Sequence, residues 1–546
     1  MKNILCSVLI LFIAWSCSRG TLEDRGKTVF RYNEAAGITS LDPAFARDQA
    51  NIWATHQIFN GLVQLGNHLE ILPCIAKSWT ISPDGKEYRF HLRKDVFFHD
   101  SPVFQGGKGR KVVATDVVYS FSRITNPRVA SPGSWIFNHV EKAGENYAFS
   151  APDDTTFIVR LKQPFPPFLG ILTTLYCSVI PYEAIDIFGT DFRKNPVGTG
   201  PFQFRMWKEG VKLVLVKNPE YFEWENGMRL PYLDAVAITF LADKQSAFLE
   251  FVKGKLDFMS GIDPSYKDEL LTRDGKLKPG FAGKFKLTVQ PYLNTEYLGF
   301  LVDPETTTGK GNPVKIRQIR QAINLSIDRR KMIEFLRNNI GTPGLFGMIP
   351  KGMPSFDSTM VRYSYDPERA RSLLTEAGYP EGRGLPPITL STTSDYLDIC
   401  KYLQYKAGET GIEIKIDISP PAALKEMKAQ AKLPFFRASW IADYPDAESY
   451  LSLFYSKNFC PQGPNYTHFK KKEFDRLYEK AMACVEDSVR FRYYREMEEL
   501  IMDDAPVLVL YYDQVLRFVQ NNVEGLESDP MNLLTLKTVR KPLTIN

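Results

Sequence analysis

The sequence predicts a mixed α/β protein with more than one hydrophobic core. Its 546 residues exceed what one core usually supports, at roughly 100–200 residues per domain. Hydrophobic residues make up 44% and charged residues 24% of the chain, which excludes a mainly disordered, collagenous or coiled-coil organisation. Segments with the period of a strand alternate with segments of helical period, most clearly over residues 366–418.

The first seventeen residues resemble an export signal. Residues 4–15 are apolar apart from Ser7, and this run is too short to cross a membrane, which takes about 20 residues in a helix. A small residue directly before Cys17 resembles the lipobox of bacterial lipoproteins, so we expect cleavage before Cys17 and a lipid on its sulfur. The alternative is a signal peptide cut near Ser18, in which Cys17 has no special role.

The first half of the chain contains strand and hairpin signals. Val29–Asn33 is a strand candidate, and Tyr88–Leu92 alternates between apolar and polar residues, as a half-buried strand does. The turn residues Ser82–Gly85 come just before the second strand and predict a hairpin. A helix is expected from Thr115. The glycine-rich stretch 105–110 lacks the ending of a phosphate-binding loop, so we interpret it as a flexible hairpin tip.

The second half contains a strand–helix–strand pattern. Asp366 is followed by proline and then by a helical repeat that ends at Gly378, as N-cap and C-cap preferences require. Ile388–Thr392 predicts a strand, Leu397 begins a helical repeat, and isoleucines alternate with charged residues over 412–418. These segments form a βαβ unit, so the sheet is expected to be parallel here.

Further apolar patterns complete the prediction for the second half. Isoleucines mark one helix face over 316–327, Asp328 is placed to cap the next helix, and a helix around residues 494–501 ends before Pro506. The continuous apolar run Val507–Tyr512 is typical of a strand that is buried on both faces. We see no internal repeat and no low-complexity linker, so we expect lobes that share strands and are joined by more than one crossing.

The balanced charge and the lack of catalytic motifs in the sequence argue against several classes of protein. The net charge is +5 without a long basic run, so we expect no nucleic-acid partner. The six histidines are scattered, and neither a metal motif nor a nucleophile elbow is present, so we expect no metal, no cofactor and no catalytic residue. A glycosidase stays open, because two distant carboxylates can converge in a fold. Five cysteines follow Cys17, and this odd number predicts at least one free thiol.

The most informative segment is Arg437–Asp446. An apolar and aromatic strand composition over 435–441 carries one arginine, and Asp446 precedes a helix start, where it has a local role as a cap. Asp443 has no such role, so a strand that ends in this carboxylate could present it to a cleft. A structural Arg437–Asp443 ion pair, or two solvated charges, is the alternative explanation.

The order of several short motifs makes the chain similar to the family 5 extracellular solute-binding proteins of bacterial ABC importers, the oligopeptide- and dipeptide-binding proteins. No single motif is specific, but seven of them follow one another in the family's order along nearly the whole chain after the signal. The motifs lie at residues 40–43, 57–63, 90–96 with 114–120, 196–202, 319–324, 440–444 and 505–507.

The resemblance implies a periplasmic-binding-protein-like fold of type II: two lobes with mixed sheets, joined at a hinge, and an extra domain. The implied boundaries are lobe I at residues 18–58, 195–290 and 510–546, the extra domain at 59–194, and lobe II at 291–509. It also implies that Asp443 binds the α-ammonium of a peptide, that Arg437 helps to hold its carboxylate, and that Trp440 lines a side-chain pocket. The peptide backbone is expected to pair with two segments of the chain, whose members are Ala46, Arg47 and Asp48, and Ser439 to Ile441.

We therefore expect a monomeric, lipid-anchored binding protein at the outer face of the cell membrane, which passes peptides to an ABC permease and is not an enzyme. Two alternatives remain at this point. The same fold could bind another solute, such as an oligosaccharide, a nickel complex or haem, since a fold does not fix function. A secreted hydrolase is the other alternative.

Overall fold

The structure is a computed structural model, and it describes residues 26–262, 267–303, 305–306 and 311–542. The predicted signal segment and its Cys17 lie outside the described residues. Within those ranges no helix is both long and apolar enough to span a membrane.

The strands range from two to sixteen residues. In chain order they are β1 (Val29–Asn33), β2 (Val63–Leu65), β3 (Ile71–Pro73), β4 (Ala76–Ile81), β5 (Glu87–Leu92), β6 (Lys142–Ala143), β7 (Asn146–Tyr147), β8 (Phe149–Asp153), β9 (Thr156–Arg160), β10 (Phe202–Lys208), β11 (Lys212–Lys217), β12 (Trp224–Glu225), β13 (Met228–Arg229), β14 (Ala235–Thr239), β15 (Phe258–Ser260), β16 (Phe285–Phe300), β17 (Thr342–Pro343), β18 (Ile388–Thr392), β19 (Ile414–Ile418), β20 (Phe435–Ile441) and β21 (Val507–Gln520).

The helices are short except for the one that precedes β21. In chain order they are α1 (Gln49–Ile58), α2 (Ala114–Thr125), α3 (Phe168–Ile171), α4 (Tyr182–Phe188), α5 (Lys244–Val252), α6 (Lys267–Leu270), α7 (Arg317–Leu325), α8 (Arg329–Arg337), α9 (Pro367–Glu376), α10 (Leu397–Gly408), α11 (Pro421–Ala429), α12 (Glu448–Leu451), α13 (Lys472–Met482) and α14 (Asp487–Asp504).

One large mixed sheet runs through the molecule, in the order β10-β11-β14-β1-β15-β21-β16-β20-β18-β19, with β17 paired to β21. Strands β10, β11, β14, β1 and β15 belong to the predicted lobe I, and β20, β18 and β19 belong to the predicted lobe II. The mixed α/β fold predicted from the sequence is confirmed, and Val29–Asn33 forms β1 with the predicted bounds.

Two long antiparallel strands, β16 and β21, join the lobes. Their register shifts between Pro291 and Thr295, and such an irregularity bends a strand pair. The boundaries predicted at 290/291 and 509/510 fall inside these strands, which pass without a break from one lobe to the other. The domain limits stay a prediction, and the crossing strands are the elements on which a hinge would act.

The predicted βαβ unit is present in lobe II. Strands β18 and β19 are parallel, with α10 between them in the chain. The Asp366 side chain caps α9 by accepting a hydrogen bond from the Arg369 backbone amide at 2.9 Å, as the sequence predicts. Cys400 and Leu403 of α10 are buried against the sheet, so the helical repeat does mark the core face.

A separate four-stranded sheet, in the order β4-β5-β9-β8, forms the extra domain together with α2. The predicted hairpin is confirmed, since β5 pairs with β4 in antiparallel register across a turn at Gly85. Aromatic rings from β5, α2 and β9 form the core of this domain, and Phe121 and Phe157 pack edge to face. The glycine-rich tip contains a short 3-10 turn at Gln105–Gly107.

The described chain has several hydrophobic cores, as its length predicts. The largest extends through lobe I, the extra domain and the neighbouring part of lobe II, and a second fills lobe II around α7, α8, α9 and α10. The five cysteines after residue 17 are all free thiols, which agrees with the prediction of at least one.

Candidate functional site

A cavity of about 670 Å³ lies between the two lobes. Glu34, which follows β1, and Met259 of β15 belong to the lobe I wall, while Arg337 of α8 and Asp398 of α10 belong to the lobe II wall. Tyr292 of the crossing strand β16 also lines it. Asp443 is not among the lining residues. Burial raises the pKa of Tyr450, and Tyr292 and Asp443 raise it further, so both of these side chains lie in the electrostatic neighbourhood of Tyr450.

The Asp443 carboxylate is exposed to solvent and has neither an ion-pair nor a hydrogen-bond partner within the described ranges. Surrounding protein nevertheless removes part of its hydration, and this desolvation raises its pKa from 3.8 to about 6. The carboxylate is thus open to water on one side and partly desolvated by protein on another. At neutral pH it keeps most of its charge and is available to a cationic group.

The end of β20 fixes the position of Asp443. The backbone amide of Ala442 donates to the Leu293 carbonyl of β16 at 2.9 Å, which pins the strand end to its neighbour. The next amide, that of Asp443, donates to Ser449 Oγ at 3.3 Å, and Trp440 Nε1 donates to the same oxygen at 3.2 Å. The backbone around Asp443 is therefore held by polar contacts that leave its carboxylate free.

Buried acidic groups stabilise the turn that follows Asp443. Asp446 accepts hydrogen bonds from the Glu448 amide, from Tyr494 Oη at 2.7 Å and from Arg490, whose guanidinium is 3.1 Å away. Asp446 therefore does more than accept the hydrogen bond at the helix start that the sequence predicts. It also forms a buried ion pair with Arg490 of α14. Burial raises the pKa of Glu448 to about 7, and the hydroxyls of Tyr444 and Tyr478 donate to it.

Arg437 is paired inside lobe II. Its Nη2 lies 2.5 Å from Glu296 Oε2 on the adjacent strand β16, and its guanidinium stacks 3.5 Å from the ring centroid of Tyr396. The alternative of a structural pair between Arg437 and Asp443 is therefore excluded. A ligand carboxylate would share this guanidinium with Glu296, and the role of Arg437 stays a prediction.

The second predicted segment lies where the N-terminal loop of lobe I enters α1. Ala46 is buried, whereas Arg47 and Asp48 are exposed. Asp48 caps α1, since its carboxylate accepts from the Asn51 amide at 3.0 Å and from Asn51 Nδ2 at 2.9 Å. Both oxygens of Asp48 thus accept hydrogen bonds from Asn51, and neither Asp48 nor Arg47 has a described ion pair.

Tyr176, in a short turn of the extra domain, connects these segments. Burial raises its pKa to about 12, the negative charges of Asp443 and Asp48 raise it, and Arg47 lowers it. The structure therefore brings Asp443, Arg47 and Asp48 into one electrostatic neighbourhood around this hydroxyl. Sequence reasoning missed Tyr176, because one tyrosine in an apolar, proline-broken stretch carries no local signal.

The far half of β20 has an open edge. Over 437–441 it pairs with β16, while β18 pairs with β20 only at Phe436 through Ser391. Within the described strands, residues 438–441 therefore have a neighbour on one side. Ser439 and Ile441 lie on this stretch, and the Ile441 side chain is 48% exposed. An extended ligand could add to such an edge through backbone hydrogen bonds.

One arrangement bears on the hydrolase alternative. Cys460 Sγ lies 3.3 Å from His468 Nε2, and His468 Nδ1 lies 3.4 Å from Asp303 Oδ2. This resembles a nucleophile, a base and an orienting carboxylate. Cys460 is only 4% exposed, however, and burial raises its pKa, so the thiol is neither ionised nor open to a substrate. Across the described ranges, no group of three or more metal-ligating side chains is placed to hold an ion.

Comparison with known proteins agrees with the fold and with binding. The dipeptide-binding protein of Escherichia coli (strain K12) is 26% identical over 491 residues, which cover 87% of each chain. The glutathione-binding protein GsiB of Salmonella choleraesuis (strain SC-B67) is 26% identical over 496 residues, which cover 90% of each chain. The solved structure of DppA from Helicobacter pylori in complex with peptide STSA has a TM-score of 0.74 and 25% identity, covering 95% of this chain and all of that one.

The predicted family and its two-lobed fold are confirmed by these similarities. The family model for bacterial extracellular solute-binding proteins, family 5, matches residues 70–459. Its members bind solutes and do not catalyse reactions on them, in agreement with the prediction that this is not an enzyme. The chain belongs to the family 5 bacterial extracellular solute-binding proteins.

Proposed function

We propose that this protein captures peptides between its lobes and delivers them to the permease of an ABC importer. The observation that carries the proposal is the Asp443 carboxylate, which is charged at neutral pH and lacks a partner within the described chain. A free peptide carries an ammonium group at one end, and enclosing that charge is strongly unfavourable unless an opposite charge meets it. Asp443 supplies that charge.

The peptide backbone adds along the open edge of β20, at Ser439 to Ile441, and faces the loop at Ala46 to Asp48. Backbone hydrogen bonds give affinity without selecting side chains. Trp440 lines a neighbouring side-chain pocket, and Arg437 assists with the ligand carboxylate in company with Glu296. Ordered water fills the space that the ligand side chains leave, so the cleft accepts varied side chains. A bridging water is nearly as good as a direct hydrogen bond.

The names of the relatives favour short peptides. The dipeptide-binding and glutathione-binding proteins name ligands of two and three residues, each with a free ammonium group. An ammonium receptor of the Asp443 type suits both, whereas an oligosaccharide has no such charge. The protein acts as a monomer outside the cytoplasmic membrane, held there by a lipid on Cys17.

Ligand identification tests the proposal. The protein should be expressed without residues 1–17 in the bacterial periplasm and sprayed natively into a mass spectrometer. We expect bound masses that match peptides and that disappear after denaturation and refolding. Calorimetry with dialanine and with glutathione then ranks the two ligands that the relatives suggest. A copurifying oligosaccharide or metal complex, together with no heat from any peptide, would refute the peptide assignment.

The lipid anchor needs its own measurement. When the full-length protein is expressed in a bacterium, its N-terminal peptide should carry the added mass of a lipid, and a Cys17→Ser variant should lack that mass. An N-terminal peptide of the wild type without a lipid would contradict lipidation at Cys17. This result is independent of what the cleft binds.

A further inference from the structure

A second cavity, of about 750 Å³, lies between lobe I and the extra domain. Its walls come from residues 39–51, 123–132 and 185–193, and it shares no lining residue with the interlobe cavity. Four arginines line it, and we call it the arginine cavity: Arg47, Arg123, Arg128 and Arg193. Its size is within the range of ordinary small-molecule sites, roughly 300–1,000 Å³.

The positive charge of this cavity is only partly neutralised. Asp42 is the one carboxylate among its lining residues, all of which are described, and it holds Arg123 in a two-point contact of 3.0 and 2.5 Å. Arg193 lies 2.8 Å from Glu209, but Lys194 shares the same carboxylate oxygen at 3.1 Å. The carboxylate of Glu209, which does not line the cavity, is therefore shared between two cations.

Two guanidinium groups have no ion pair among the described residues, and one of them, that of Arg47, also lies in the electrostatic neighbourhood of Asp48 and Asp443 around Tyr176. Arg47 and Arg128 are both exposed, and neither has an ion pair or a side-chain hydrogen bond among the described residues. Arginines that share a concave surface repel one another, and a cavity lined by one sign of charge raises the local concentration of the opposite ion. A guanidinium group also matches carboxylate and phosphate oxygens with two parallel hydrogen bonds.

The cavity also has an apolar wall. Phe45 of lobe I and Val129 and Ile185 of the extra domain line it together with the arginines, and water solvates these apolar side chains poorly. Inorganic ions would leave this wall uncovered, whereas an organic ligand would cover it and gain from its burial. Two free arginines and one half-neutralised arginine suit a ligand with two or more negative charges.

We propose that the arginine cavity is a binding site for a small organic anion that carries at least two negative charges, as carboxylates or phosphate, on a short apolar body. Arg128 and Arg47 hold its charged groups, Arg193 contributes from the rim, and Phe45 packs against its apolar part. This cavity has no lining residue in common with the interlobe cavity, and Arg47 is the one residue that it shares with the segments proposed to face the peptide. Its arginines attract anionic groups, whereas Asp443 attracts the ammonium group of a peptide.

Calorimetry at low salt tests the site on the protein that begins at Ser18. The probes are citrate, inorganic pyrophosphate and phenyl phosphate, with inorganic phosphate and acetate for comparison. We expect saturable binding of the multivalent anions, tighter binding of phenyl phosphate than of phosphate, and no binding of acetate. Added sodium chloride should weaken every interaction, because exposed charges are screened. Citrate against pyrophosphate distinguishes a carboxylate ligand from a phosphate ligand.

Substitutions of the lining arginines test whether the anion binds in the arginine cavity. Arg128→Glu should weaken citrate binding by at least about tenfold, since charge-assisted hydrogen bonds are lost and a repulsive charge is added. Arg205→Glu is the matched control, because Arg205 is exposed, has no described ion pair and lies on β10 outside the cavity. If Arg128→Glu is poorly folded by circular dichroism, Arg193→Gln replaces it, with an expected loss of about threefold.

The outcomes separate this site from the peptide cleft. Citrate binding that persists in Asp443→Asn and in the presence of saturating dialanine supports the proposal. No saturable binding of any multivalent probe, equal binding by Arg128→Glu and wild type, or binding that dialanine displaces would each overturn it. Failure of every tested peptide to bind would contradict the proposed function without affecting this inference.

Discussion

Replacement of Asp443 by asparagine tests the charge assignment most directly. The pKa of this carboxyl rises from 3.8 to about 6, which at 1.36 kcal/mol per pKa unit is about 3 kcal/mol against the charged form. Because the side chain is exposed, screening by water reduces that figure to about 1 kcal/mol in the free protein. A neutral amide at this position would not carry this penalty, so the variant should be slightly more stable than wild type at pH 7 when no ligand is present.

The same substitution should weaken peptide binding. Loss of one partner of an enclosed charge pair costs about 2–5 kcal/mol. We expect the lower end, about 2 kcal/mol or about 30-fold in Kd, because Asp443 begins in contact with water. Calorimetry with dialanine measures this loss. The matched control is Asp154→Asn, an exposed aspartate on a turn of the extra domain, which should bind as the wild type does.

Two further measurements separate the charge from the shape of the side chain. N-acetyl-dialanine lacks the ammonium group, so it should bind weakly and equally to wild type and to Asp443→Asn. Only the ionised carboxylate attracts the ammonium, so wild-type affinity for dialanine should fall about tenfold between pH 7 and pH 5, as Asp443 takes up a proton. The variant should lack this dependence. Unchanged dialanine affinity in Asp443→Asn, or a flat wild-type profile, would refute the reasoning.

Three predictions concern stability and thiol reactivity. Arg437→Met should lower the free energy of unfolding in urea by about 3 kcal/mol, because it leaves Glu296 buried without its cation, and adding Glu296→Gln should restore most of the loss. If the double variant were as unstable as the single one, the ion pair would not be the cause. Burial raises the pKa of Glu498 to about 8, so folding stability should fall as pH rises from 4.5 to 8, and Glu498→Gln should gain about 4 kcal/mol at pH 8 and little at pH 4. Glu499→Gln, an exposed neighbour, should show no such gain, and equal gains would argue against burial as the cause. Cys484 is the one of the five thiols after Cys17 that is not buried, so a thiol reagent should titrate one group rapidly in the native protein and five after unfolding, and a second fast group would contradict the packing.

Local signals were sufficient for much of the fold. Strand β1, the β4–β5 hairpin and the βαβ unit of lobe II follow from residue period, caps and turn residues, all of which act over a few positions. The strand predicted at Val507–Tyr512 continues to Gln520 instead. The second part of this strand begins with the polar residues Asp513 and Gln514, which interrupt the apolar pattern where the strand crosses between the lobes. The strand continues there because it pairs with β16.

The site was less predictable, because its properties depend on partners that are distant in sequence. The partner of Arg437 is Glu296, which lies 141 residues away on the neighbouring strand. Tyr176 and Asp443 meet from different domains, and no local pattern relates them. Sequence order does identify Asp443 as the residue of interest through the resemblance, but only the structure indicates that its carboxylate has no described partner.

Asp443 differs from the other carboxylates that the protein partly or fully buries. Several carboxylates in the interior each have an arginine within about 3 Å, and these pairs are Asp42–Arg123, Glu296–Arg437, Asp446–Arg490 and Asp504–Arg320. Glu498 has no cationic partner among the described residues, but burial keeps it protonated at neutral pH, so it carries no charge that needs one. Asp443 differs from both groups, because it is charged at neutral pH, partly desolvated and open to water. A structural role would have favoured either an arginine beside it or full burial, and a receptor for a cationic group requires neither.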